Sequence, residues 1–179
     1  NNPYVIANTT HIQNMSKVLI GKQTTYFVLS ADIDMQGIKW TPLNGDGPYE
    51  KWIIFDGRNH VIRNLTCDSG SYPSFFGVLC GECKNVGFVD ANISSTNQGI
   101  GIIAGYVGLN SGAVGFTGKI INCYTTGILK GSGAAGGIGG IFGGNGRIEN
   151  CYTTATIIDQ INADNGKAGG IIGRLLCKW

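Results

Sequence analysis

The chain has 179 residues, with 30 glycines, only 4 prolines and 42% apolar residues, which suits one packed domain and excludes collagen-like and disordered classes. Its 13 basic and 11 acidic residues leave a formal charge of +2, and the lysines and arginines are scattered from Lys17 to Lys178, which excludes a basic nucleic-acid footprint. Gly, Asn, Asp or Thr interrupts every apolar run well short of the ~20 residues that a bilayer requires, so no transmembrane segment is read.

The first 25 residues read as a cap. Ile12, Met15, Val18 and Leu19 fall at helical spacing on one face, Asn8 or Thr9 can cap the N-terminus, and Gly21 can end the turn. The spacing predicts a helix from about Thr10 to Leu19, laid over the end of whatever follows. The chain starts at Asn1 without a charged-then-apolar leader, as expected of a mature form or an excised fragment.

Residues 26–66 read as the first coils of a repeating structure. Asp32 and Asp34, at i and i+2 in an extended stretch, share one face and are the best carboxylate pair in the chain. Their first reading is a bend in which carboxylates accept backbone N–H groups; an acid pair or calcium site is the competing one. Trp40, Tyr49 and Trp52 gather around the loop 44–50 and form a candidate aromatic surface for a ligand, with packing beneath the loop as the alternative. Asp56, Gly57 and Asn59 read as a turn, and neither His60 beside it nor His11 in the cap has an evident acid or nucleophile to serve.

Residues 67–179 carry the repeat itself. Asn122-Cys123-Tyr124-Thr125-Thr126 returns as Asn150-Cys151-Tyr152-Thr153-Thr154, an offset of 28 (150 − 122), and each copy is followed by β-branched residues and a glycine block. Weaker copies are centred on Asn64 and Asn85. Short extended stretches at a period of 20 to 30 residues are the signature of a solenoid in which each repeat is one coil. Residues at one coil position then stand over each other at the strand spacing of about 4.8 Å. Asn64, Asn85, Asn122 and Asn150 are the expected ladder, because asparagine tolerates a left-handed bend and can bond to the amide above it.

Beyond each ladder asparagine, alternation sends Leu65, Val86, Cys123 and Cys151 inward, followed two positions on by Cys67, Phe88, Thr125 and Thr153. Thr66, Gly87, Tyr124 and Tyr152 point outward. Tyr124 and Tyr152 should therefore stack on adjacent coils as a face for sugars or protein partners, or else merely shield the sheet. Cys80-x-x-Cys83 has no second ligand pair, so no metal and no cofactor is expected, and stacked Cys123 and Cys151 are compatible with either a bond or two thiols. The glycines of 136–146 read as close coil packing rather than a phosphate loop, since no Lys-Ser or Lys-Thr follows them.

These residues resemble the GLUG-motif repeats of bacterial surface and secreted proteins, whose units run I-x-N-C-Y-N-T-G and then G-G-I-x-G. Ile148-Glu149-Asn150-Cys151-Tyr152 and Ala168-Gly169-Gly170-Ile171-Ile172-Gly173 carry the likeness, with Thr125 and Thr153 in place of the usual second asparagine. The segment preceding such repeats is similar to Leu29–Asp34, Trp40–Leu43 and Phe55–Ile62. The resemblance implies an all-β, right-handed parallel β-helix in adhesin-like proteins of the cell surface and in regions flanking some secreted proteases.

On this reading the 179 residues are a single β-helical domain, and the absence of a recognisable cap after Gly173 marks it as a segment of a longer protein. The function expected is a non-catalytic exported surface module for adhesion, recognising glycans or host or cell-surface proteins, with neither nucleic acid nor catalytic residues involved. A structural spacer ranks second, and a polysaccharide lyase or hydrolase third.

Overall fold

The computed structural model describes residues 2–21, 23–45, 51–96, 99–108, 117–143, 146–159 and 167–176. Its first elements are β1 (Tyr4–Ile6), α1 (Thr9–Gln13) and a 3-10 turn at Met15–Val18. The Asn8 side chain accepts the His11 backbone N–H at 2.9 Å and caps α1. The single helix expected over Thr10–Leu19 is thus two short pieces. It breaks at Asn14, a residue of modest helix propensity, whose N–H still bonds the Thr10 and His11 carbonyls. Ile12, Met15 and Leu19 are nevertheless all buried, so the apolar face read from the sequence survives the break. Gly21 follows at φ +51°.

The rest is all-β. β2 (Thr24–Leu29), β3 (Ile33–Asp34), β4 (Trp52–Arg63), β5 (Thr66–Cys67) and β6 (Phe76–Ser95) are followed by β7 (Ile100–Gly101), β8 (Ala104–Val107) and β9 (Gly118–Ile121). Then come β10 (Tyr124–Gly131), β11 (Ala134–Gly136), β12 (Gly139–Phe142), β13 (Arg147–Glu149), β14 (Tyr152–Thr153), β15 (Thr156–Asp159), β16 (Lys167–Gly169) and β17 (Ile172–Leu175). Among the described residues they form a 14-stranded sheet, whose longest path runs β1-β2-β4-β6-β8-β12-β17, and a 3-stranded sheet, β7-β11-β16.

Every pairing between these strands is parallel. Trp52 sits opposite Thr24 on one side and Cys80 on the other, each a step of 28 residues (52 − 24 and 80 − 52). The same step relates Tyr124 to Tyr152 and Ile128 to Thr156. Parallel neighbours cannot be joined by a tight hairpin, so each step requires a long connection.

Equal steps bring like side chains into columns. Phe27, Phe55, Cys83, Ile120 and Ile148 follow one another in register, and the first four of them are buried. Phe75 lies at the centre of this core, edge-on to Phe55, Phe76 and Phe88 at centroid distances of 5.6, 4.7 and 5.1 Å. Burying each such ring stabilises the fold by about 1.5–3 kcal/mol. A smaller cluster of Val78, Cys80, Tyr106, Ala134 and Ile141 lies apart from this core.

The columns also locate the bends. Asn85, Asn122 and Asn150 hold φ of 52°, 53° and 50°, the left-handed conformation expected of ladder asparagines. Asn64 has φ 56° but belongs to a different bend: its N–H bonds Val89 O, beside Asp90 at φ 55°. The reason is local. β4 already turns at Arg58 and Asn59, whose φ values are 49° and 66°, before it reaches Asn64. The sequence pattern merges two bends into one.

Candidate functional site

Adjacent outward positions on β10 and β14 place the rings of Tyr124 and Tyr152 parallel, with centroids 5.3 Å apart and planes 7° from coplanar directions. Tyr152 is 57% exposed and Tyr124 half-buried, so one face of the stack is open to solvent. The alternation that sends them out sends Thr125 and Thr153 in. Their hydroxyls bond at 2.7 Å, and Thr125 Oγ1 donates to Gly137 O at 2.9 Å, which satisfies a buried polar pair. The same column continues through Gly87, opposite Tyr124, and Val61, opposite Gly87. Gly87, expected to point outward into solvent, is buried because the Tyr124 ring covers it.

Beside the stack runs the amide ladder. Asn150 Nδ2 donates to Asn122 Oδ1 at 3.2 Å, and Asn122 Nδ2 donates to Asn85 Oδ1 at 3.0 Å. Asn85 ends the run by donating to Asp56 Oδ1 at 3.1 Å. Asn64, in the other bend, instead donates to Asp34 Oδ1 at 2.8 Å. Across the ladder from the tyrosines are Lys84 with Glu82 at 2.9 Å, and Arg147 paired with Glu149. The bond from Glu82 holds the Lys84 ammonium above its ordinary range. An open aromatic face, flanked by amides and fixed ion pairs, can stack a flat apolar surface and hydrogen-bond its polar rim.

The other aromatic candidates separate. Trp40 is only 5% exposed; it stacks on Phe75 at 5.0 Å, and its Nε1 donates to Phe75 O at 3.0 Å. It is therefore core, not a ligand surface, because the segment before the loop turns the indole inward where its N–H finds a carbonyl. Trp52 is half-buried on β4, and Tyr49 lies outside the described residues.

Asp32 and Asp34 accept backbone N–H groups at a bend, from Val61 at 3.0 Å and Gln36 at 2.9 Å respectively. The bond from Val61 holds the Asp32 carboxyl below the usual range, and the Asn64 amide does the same for Asp34. His60 has the acid partner that its sequence neighbours concealed: its Nδ1 lies 3.1 Å from Asp32 Oδ1, across the step between β4 and the preceding coil position.

The five described cysteines, Cys67, Cys80, Cys83, Cys123 and Cys151, are free thiols; Cys177 lies outside the described residues. Cys123 N–H approaches Cys151 Sγ at 3.4 Å. The bond to Cys123 and burial push the Cys151 thiol up. For Cys123 the contact with Cys151 acts the other way, and the neighbouring Cys83 thiol together with burial outweighs it and raises the group. Among the described residues no three His, Cys, Asp or Glu side chains gather as metal ligands, and no helix is long and apolar enough to cross a membrane.

No family model matches the chain, that of the GLUG repeats included, and no curated protein matches it. A crystal structure described as that of "a putative immunoglobulin A1 protease from Bacteroides ovatus" is similar at TM-score 0.92 and 53% identity, over 98% of this chain and 53% of that one. The chain therefore spans about half the length of that protein. Over nearly its whole extent it is similar in sequence and in fold to part of the Bacteroides ovatus protein, a β-rich structure of parallel strands.

Proposed function

We propose that this chain is a non-catalytic exported surface module, a single right-handed parallel β-helical domain of GLUG type within a longer protein, that recognises glycans or cell-surface proteins. The observation that carries the reading is the open Tyr124–Tyr152 stack beside the amide ladder. An aromatic platform of this kind matches the C–H face of a pyranose while neighbouring amides serve its hydroxyls. Half-buried Trp52 and the loop residue Tyr49 are secondary contacts; Trp40 is withdrawn from the set.

The coil reading is supported by the repeated 28-residue step between parallel neighbours and by the preference of parallel connections for the right hand. β13 to β17 have a strand partner on one side only among the described residues, and Leu175 is 65% exposed, so this edge suits a further coil. Similarity to one half of the Bacteroides ovatus protein favours a second reading, a spacer that projects another part of a larger protein. Proteolysis, the activity in that protein's description, belongs in our reading to the half that this chain does not span.

The test is glycan-array binding by the folded chain and by the Tyr124→Ala and Tyr152→Ala variants. Binding that both substitutions abolish supports recognition through the stack. A folded chain that binds no glycan and no cell surface leaves the spacer, and cleavage of polysaccharide or protein substrates by this chain alone overturns both readings.

A further inference from the structure

Away from the tyrosine face, three successive levels of the structure converge on a cleft of about 370 Å³. Thr96 follows β6, Ser132 follows β10, and Ser132 Oγ donates to Thr96 O at 3.2 Å, tying two levels together at the rim. The apolar floor is Ala134 and Ile141, on β11 and β12. Over them stand two cations of the next level, Lys167 in register with Ala134 and Arg174 in register with Ile141.

Both cations are exposed, no acidic side chain among the described residues lines the cleft, and neither cation has an ion-pair partner among them. The contrast with the tyrosine face is direct, since Lys84 and Arg147 there are each held by a glutamate. Two like charges on adjoining strands with no counter-charge create a local positive potential at a concave, partly apolar surface. The volume falls within the ~300–1,000 Å³ of small-ligand sites.

We propose that this cleft binds an anionic saccharide, with Arg174 and Lys167 on its carboxylate or sulfate, the Ser132 hydroxyl on a ring hydroxyl, and Ala134 and Ile141 under its C–H face. Arginine supplies a planar fork for a carboxylate or sulfate, and lysine a second charge from the side. Hydroxyls that both donate and accept, as Ser132 and Thr96 do, match sugar hydroxyls rather than a bare anion. The proposal rests on the saccharide reading above but uses β11, β12, β16 and β17 instead of β10 and β14, so the two can fail separately.

The experiment is calorimetric titration of the full chain with an oligogalacturonate, a heparin hexasaccharide, a cello-oligosaccharide and inorganic polyphosphate. One of the two anionic saccharides should bind, more weakly as salt rises, and the K167A/R174A double variant should lose about tenfold or more in affinity, the scale of one charge-assisted bond. Tyr124→Ala should leave that binding unchanged; both substituted cations are exposed, and circular dichroism should show the double variant folded. Polyphosphate binding as tight as the saccharide, an unchanged affinity in the double variant, or no binding of either anionic saccharide overturns the proposal. Loss of neutral-sugar binding in the tyrosine variants alone bears on the earlier reading and leaves this one standing.

Discussion

The Tyr124 ring lies flat against Gly87, so close that a β-carbon on Gly87 would come within 2.3 Å of Cζ. The glycine is thus the seat of the aromatic stack, and Tyr152 only extends a platform that Gly87 makes possible. Gly87→Ala should tip the Tyr124 ring outward. Because a tyrosine ring can rotate away, the stability cost should be small, about 1 kcal/mol. Near-UV circular dichroism should lose the contribution of the stacked pair, and any ligand of the stack should bind as weakly as to Tyr124→Ala. An unchanged near-UV spectrum would remove Gly87 from this role.

Asn122 does two things at once, holding φ at 53° and linking Asn85 to Asn150 through its amide. The two contributions can be separated by substitution. Asn122→Gly keeps the left-handed bend and loses only the amide bonds, for about 1 kcal/mol. Asn122→Ala loses both and should cost about 2–4 kcal/mol. Urea denaturation should therefore order the proteins wild type, glycine, alanine. Equal midpoints for the two variants would mean that the bend itself stores nothing.

Most of the strand architecture was legible because the repeat is nearly exact where it matters: Asn122 to Thr126 and Asn150 to Thr154 fix the 28-residue step, the alternation and the outward tyrosines. Asn64 was misplaced because a polar left-handed bend looks alike at either corner, and only the turn at Arg58 and Asn59, inside β4, tells the corners apart. The Asp32–His60 contact and the cleft of Lys167 and Arg174 were not legible, since each joins residues from different levels whose separation along the chain carries no motif. Trp40 was misassigned for a related reason: its indole finds Phe75, 35 residues away, and composition near a loop cannot reveal that partner.

The thiols offer a test of the stacked core. Cys67 and Cys123 are buried, Cys151 is half-buried, and all three have their thiols raised above the ordinary range, Cys67 chiefly by burial. The thiolate is the reactive form, so raising the group suppresses alkylation at neutral pH. Iodoacetamide at about pH 7.5 should leave these three unmodified in the folded chain and modify them in urea, as read by peptide mass spectrometry. Rapid labelling of Cys123 in the native protein would contradict the packing of Cys83, Cys123 and Cys151.

Acid should weaken the corner formed by Asp32 and Asp34. Both carboxyls titrate below their ordinary 3.8 in the folded chain, Asp32 mainly through the Val61 N–H and Asp34 mainly through the Asn64 amide, with Arg63 adding to both. A depressed folded value means that the unfolded chain takes up protons first as pH falls. The stabilisation is therefore complete above about pH 5 and is lost progressively below pH 4, as protonation passes through the lowered folded values. Both side chains are exposed, so solvent screening keeps the effect modest. Asp34→Asn removes one titrating group while Oδ1 can still accept from Gln36 and Asn64. Urea midpoints measured from pH 6 down to pH 2.5 should fall less steeply in this variant than in the wild type over the acid limb. Parallel acid limbs would show that the bend bonds of Asp34 contribute nothing to the pH dependence of folding.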